Sequence, residues 1–172
     1  MKRIFCILLH ALLVPVVSSA GVSQEDFPFV HINRSNSGIS YDGISKVFQD
    51  SRGLLWIGTS KGLNRYDGYE FHVYRNNEDD TTSLASNIIR KVYCSCNGQI
   101  WVGTESGLSR YDIETDCFRN FSTSGKTVTG IVEIEYGSRL MVASGGGLYF
   151  FDMQSLSWDR SAPPCQKESF GA

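Results

Sequence analysis

The stretch Leu54-Leu55-Trp56-Ile57-Gly58-Thr59-Ser60-Lys61-Gly62-Leu63-Asn64-Arg65-Tyr66-Asp67 returns 45 residues later as Gln99-Ile100-Trp101-Val102-Gly103-Thr104-Glu105-Ser106-Gly107-Leu108-Ser109-Arg110-Tyr111-Asp112. Laid over one another without a gap, residues 44–67 and 89–112 share twelve identities in twenty-four. A weaker third copy follows 40 residues on, at Leu140-Met141-Val142-Ala143-Ser144-Gly145-Gly146-Gly147-Leu148-Tyr149-Phe150-Phe151-Asp152. It places Met141 at the Trp position and Ala143 at the first Gly, and keeps Gly147-Leu148 and the closing Asp152. Self-similarity at this period, with Gly and Trp in register, is the signature of a β-propeller blade.

Working outward, each copy reads as four short strands separated by turn residues. In the first copy these are 44–50, 54–59, 63–66 and 69–74, with Asp67-Gly68 as a tight hairpin signal. The second reads 89–95, 99–104, 108–111 and 117–121, and the third 131–136, 140–143, 148–151 and 156–160. Before the first copy, residues 29–32 alternate as a strand with no hairpin partner, and residues 34–38 read as a loop. The expected fold is therefore all-β: a partial β-propeller of about three four-stranded antiparallel blades plus one orphan N-terminal strand. It occupies residues 27–162, with blades at about 39–76, 84–122 and 127–161 and an irregular tail at 163–172.

Residues 1–20 read as a secretory signal peptide, from Met1-Lys2-Arg3 through an apolar run to Ser18-Ser19-Ala20. The run is short for a bilayer crossing, so a periplasmic protein with no membrane segment after cleavage is expected. A formal net charge of -2 with scattered Lys and Arg argues against nucleic acid as a partner. Of the cysteines beyond the leader, Cys94 or Cys96 is within conceivable reach of Cys117, although free thiols are the plainer expectation, and no zinc spacing occurs. Three acids in the polar run 76–82 lack the ligand rhythm of a calcium loop.

The recurring residues fit needs that every blade shares: Gly58, Gly103 and Ala143 where strands crowd, Trp56, Trp101 and Met141 where faces meet, and Leu63, Leu108 and Leu148 after the turning glycine. Tyr66, Tyr69 and Tyr111 would be candidates for sugar stacking, but a residue present in every blade is better explained by the blade. No nucleophile elbow, triad spacing or cofactor motif stands out, so neither catalytic nor metal residues are assigned and no enzyme activity is expected. The repeat positions are Trp56, Gly58, Leu63, Tyr66, Asp67, Trp101, Gly103, Leu108, Tyr111, Asp112, Leu148 and Asp152.

At residues 53–59 with 62–68, and again at 100–104 with 107–112, the sequence resembles the two-component regulator propeller repeat. That resemblance implies the N-terminal sensor region of a hybrid two-component histidine kinase, exported, with an oligosaccharide ligand, and with kinase and output domains that these residues do not include. A stand-alone secreted interaction module is the alternative, and a glycan-active propeller fragment is a weaker one. Three blades do not close a ring, so the missing blades or self-association are the expected partners of the open faces.

Overall fold

In the computed structural model, which describes residues 30–159, twelve strands form three four-stranded antiparallel sheets in strict chain order. The first blade holds β1 (Ile44–Gln49), β2 (Leu55–Thr59), β3 (Gly62–Tyr66) and β4 (Phe71–Tyr74). The second holds β5 (Ile89–Cys94), β6 (Ile100–Thr104), β7 (Gly107–Asp112) and β8 (Cys117–Ser122). The third holds β9 (Val128–Glu135), β10 (Arg139–Ser144), β11 (Gly147–Asp152) and β12 (Ser157–Asp159). The leader at 1–20 and the tail at 163–172 lie outside the described residues.

Ladder registers superimpose the copies: Gly58 faces Leu63, Gly103 faces Leu108, and Ala143 faces Leu148. Blades meet face to face through the indoles. Trp56 is fully buried and clusters with Val92, Ile100, Val102, Tyr111 and Phe118 of the second blade. Trp101, also fully buried, clusters with Ile131, Leu140, Val142 and Phe151 of the third. Each Trp lies at the same point of a second strand, so the cores of the first and second blades are each completed by the blade that follows.

The recurring glycines are spacers between blades. A Cβ on Gly58 would lie 2.7 Å from Cγ2 of Ile89, and one on Gly103 would lie 2.7 Å from Cγ1 of Val128. Ile89 and Val128 are the first residues of β5 and β9, so the innermost strand of each blade seats its leading side chain on bare backbone of the blade before it.

Several details differ from the sequence expectation. Residues 30–32, the described part of the expected orphan strand, join no ladder, because alternation makes a strand only where a neighbouring chain supplies hydrogen bonds. The expected loop that follows instead winds into one helical turn, α1 (Arg34–Ser37), fixed by a capping box in which the Asn33 side chain accepts from the Ser35 N–H and the Asn36 side chain accepts from the Asn33 N–H. Strand β4 begins at Phe71 rather than at residue 69, because Asp67 Oδ1 accepts the N–H groups of Tyr69 at 2.8 Å and Glu70 at 2.9 Å and withdraws both from the ladder.

Candidate functional site

Most of the repeat positions are consumed by architecture. Asp112 and Asp152 repeat the turn-capping role of Asp67, each accepting two backbone N–H groups of the β3–β4-type turn. Leu63 and Leu108 are fully buried, Leu148 is half-buried, and Tyr66 stacks on Phe71 with ring centroids 4.5 Å apart. Tyr69, the third stacking candidate, is 94% exposed and makes no ring pair among the described residues.

Asp50 organises the first blade in a way that spacing alone does not announce. Its Oδ2 accepts the indole N–H of Trp56 at 3.0 Å and the guanidinium of Arg52 at 2.7 Å, while Oδ1 accepts the backbone N–H groups of Arg52 and Leu54. The second blade has Ser95 at this place, bonded to Asn97 and Gln99 instead, and the buried N–H of Trp101 has no acceptor among the described residues.

Tyr111 bonds across the first blade joint. The Arg65 guanidinium donates to the Tyr111 hydroxyl at 2.9 Å and to Asp116 at 3.0 Å, and the hydroxyls of Tyr74 and Tyr111 both donate to Asp116 Oδ1 at 2.5 Å. At the second joint Phe121, Phe151 and Leu156 stand where Tyr74, Tyr111 and Asp116 stand at the first, so that place is apolar and the polar contacts of this joint run instead from Tyr93 and Cys96 to Glu133. The Arg65 cluster is a clamp whose groups are spent on one another.

Burial alone would raise the carboxyl pKa of both Asp50 and Asp116, but the hydrogen bonds and the nearby guanidinium groups outweigh it and hold both below the usual range. A carboxyl group with a lowered native pKa contributes stability that is present above its unfolded value, near about 4, and is lost as pH falls through the native one. The urea midpoint should therefore hold from about pH 7 to about pH 5 and drop below about pH 4. Asp50→Asn should start lower and fall less steeply over the acid range, as pH-resolved urea melts would show.

Among the described residues no group of three His, Cys, Asp or Glu side chains could hold a metal ion. Cys94, Cys96 and Cys117 are free thiols, and Cys96 donates to Glu133 at 2.9 Å.

A cleft opens where the third blade departs from the repeat. Asn64 of the first blade accepts the N–H of Ser40, and Ser109 of the second accepts that of Ala85. Both acceptors are thus roofed by long incoming segments, which anchor through the buried Ile39 and Leu84. Tyr149 holds the same register position in the third blade, facing Val142 as Asn64 faces Ile57 and Ser109 faces Val102. The segment leading into that blade, residues 123–127, is short and folds back on itself, with Thr123 donating to the Lys126 carbonyl. It supplies no roof, so Tyr149 remains 41% exposed. The result is a cleft of about 350 Å³ lined by Ser122, Thr123, Ser124, Lys126, Tyr149 and Trp158. Its two rings meet edge to face at 6.3 Å, beside three hydroxyls and one ammonium group. Sequence reasoning missed it, although the unequal spacers between copies were a readable signal.

Comparison with known proteins agrees with this architecture. Residues 38–61 match the family described as two component regulator propeller. Over 48 residues, 28% of this chain, the sequence is 46% identical to Histidine kinase P4 of Formosa agariphila, covering 4% of that protein. The fold is similar to the extracellular domain of a protein assigned as a hybrid two component system from B. thetaiotaomicron, with TM-score 0.63 and 26% identity over 75% of this chain. A second such domain from that organism gives TM-score 0.60 and 26% identity over 78% of the chain. This chain spans 19% and 20% of those two domains. It thus resembles the propellers of two-component systems, and among its described residues no helix is long and apolar enough to cross a membrane.

Proposed function

We propose that the chain supplies propeller blades to the extracytoplasmic ligand-sensing region of a two-component signalling protein, and that the ligand is an oligosaccharide. The similarity to extracellular domains of hybrid two component systems supports the sensing role and the exported location. The observation that carries the ligand class is the cleft of the third blade. Two aromatic rings offer apolar faces to the C–H surface of a pyranose, while Ser122, Thr123, Ser124 and Lys126 supply hydrogen-bonding groups for its hydroxyls.

Trp158 is only half-buried, whereas Trp56 and Trp101 are sealed, so a sugar entering the cleft should alter the emission of this one indole. Titration with a panel of neutral oligosaccharides is expected to give a saturable fluorescence change for at least one of them. Tyr149→Ala should weaken that binding by about tenfold, a loss of about 1.4 kcal/mol, without moving the urea midpoint greatly. A panel that leaves both the emission and the amide resonances around Tyr149 unchanged would sink the saccharide reading.

A further inference from the structure

A second cleft, of about 420 Å³, lies against the first blade and is lined by Arg34, Ser40, Lys61, Arg75 and Asn87. Its three cations come from separate parts of the fold: α1, the β2–β3 turn, and the residue just after β4. None of the three forms an ion pair among the described residues. The nearby carboxylate of Asp42 accepts the backbone N–H of Arg34 at 2.7 Å. Asn87 is held in place, since its carbonyl accepts the N–H of Gly62 at 2.8 Å and its Oδ1 accepts the N–H of Asn76 at 2.9 Å. With Oδ1 taken, the amide group of Asn87 is left to act as a donor at this cleft.

The charge here is not something a blade requires. Ladder registers put Ser106 and Ser122 of the second blade where the first has Lys61 and Arg75. A cleft with three positive charges and no acid in its lining is suited to an anion, and guanidinium groups bind planar or tetrahedral oxyanions through paired N–H donors. A third cleft, of about 530 Å³, shares Lys61 and Asn87 and continues along Ser60, Asn76, Ser86 and Ser106, with Glu78 as its one acid. The cationic end therefore opens into a groove whose groups are mostly uncharged hydrogen-bonding ones.

We infer that this groove binds an acidic saccharide, its carboxylate or sulfate held by Arg34, Lys61 and Arg75 and its hydroxyls by the serine and asparagine groups beyond. The ligand class rests on the sensing reading given above, but the site lies on another blade from the aromatic cleft.

The test follows backbone amides of the full chain by NMR at low ionic strength, using three probes: a disaccharide ending in glucuronate, the same disaccharide ending in glucose, and inorganic sulfate. The expected result is saturable shifts at Lys61, Arg75 and Asn87 with the glucuronate disaccharide, binding at least about tenfold weaker with its neutral counterpart, and weakening by added salt. The double variant Lys61→Ser with Arg75→Ser, which installs the second blade's residues, should keep the spectrum's dispersion and lose about tenfold or more in affinity. Sulfate binding without any advantage for the disaccharide would overturn the saccharide assignment and leave a simple oxyanion site. No shift with either anion, or shifts that the double variant retains, would overturn the site itself. Because Tyr149 and Trp158 report separately, failure of the aromatic cleft and failure of this groove are distinguishable.

Discussion

Trp56→Ala should lower the unfolding free energy by about 3 to 5 kcal/mol, a large share of the roughly 5 to 15 kcal/mol that a folded domain usually has. The indole is fully buried between the first and second blades, stacked at 6.0 Å on Tyr74 and meeting Tyr111 edge to face at 4.8 Å. Truncation removes those contacts, opens a cavity at the joint and strips Asp50 of the N–H it accepts in a nearly closed site. Urea unfolding followed by circular dichroism checks it. A loss below about 1 kcal/mol would mean that the blades do not depend on this joint. Trp56→Phe should recover part of the packing and none of the hydrogen bond, and so fall between.

Gly62→Ala should be nearly as damaging, although it adds a single methyl group. Gly62 has φ of +126°, a region that side chains rarely tolerate, and a Cβ there would sit 2.5 Å from the carbonyl oxygen of Tyr74. That oxygen belongs to the backbone and cannot swing aside, so strain and overlap act together, for a loss of at least about 2 kcal/mol. Gly147 is the control. It occupies the same turn in the third blade, yet the nearest atoms to a Cβ there would be those of the Tyr149 side chain, at 3.3 Å, so Gly147→Ala should stay within about 1 kcal/mol of the parent. Equal losses at the two positions in urea melts would refute the backbone argument.

What was legible in the sequence was whatever every blade must do. Trp56 and Trp101 could be matched because each has to cover the next sheet, and Gly58 and Gly103 because an inner strand has to pass close by. The strand bounds were less legible where one side chain changed the local hydrogen bonding, as Asp67 does at the start of β4. Strand β9 begins at Val128, ahead of the expected start at 131, because Val128 is the residue that nests on Gly103, a contact invisible without the neighbouring blade. The candidate sites were least legible. Tyr149 looks like any strand residue until the roof over Asn64 and Ser109 is seen, and Lys61 and Arg75 meet Arg34 only once α1 has folded back beside them.

The rule that each core is finished by the following blade also has a direction in time. As the chain is made from its N-terminus, Trp56 can pair with Asp50 and Tyr74 at once, but its covering partners Tyr111 and Phe118 emerge only with the second blade. Trp101 waits in the same way for Phe151. At each of these two steps the growing end carries an unsheltered indole until the next blade is laid down, so that assembly resembles a zipper closing behind the point of synthesis.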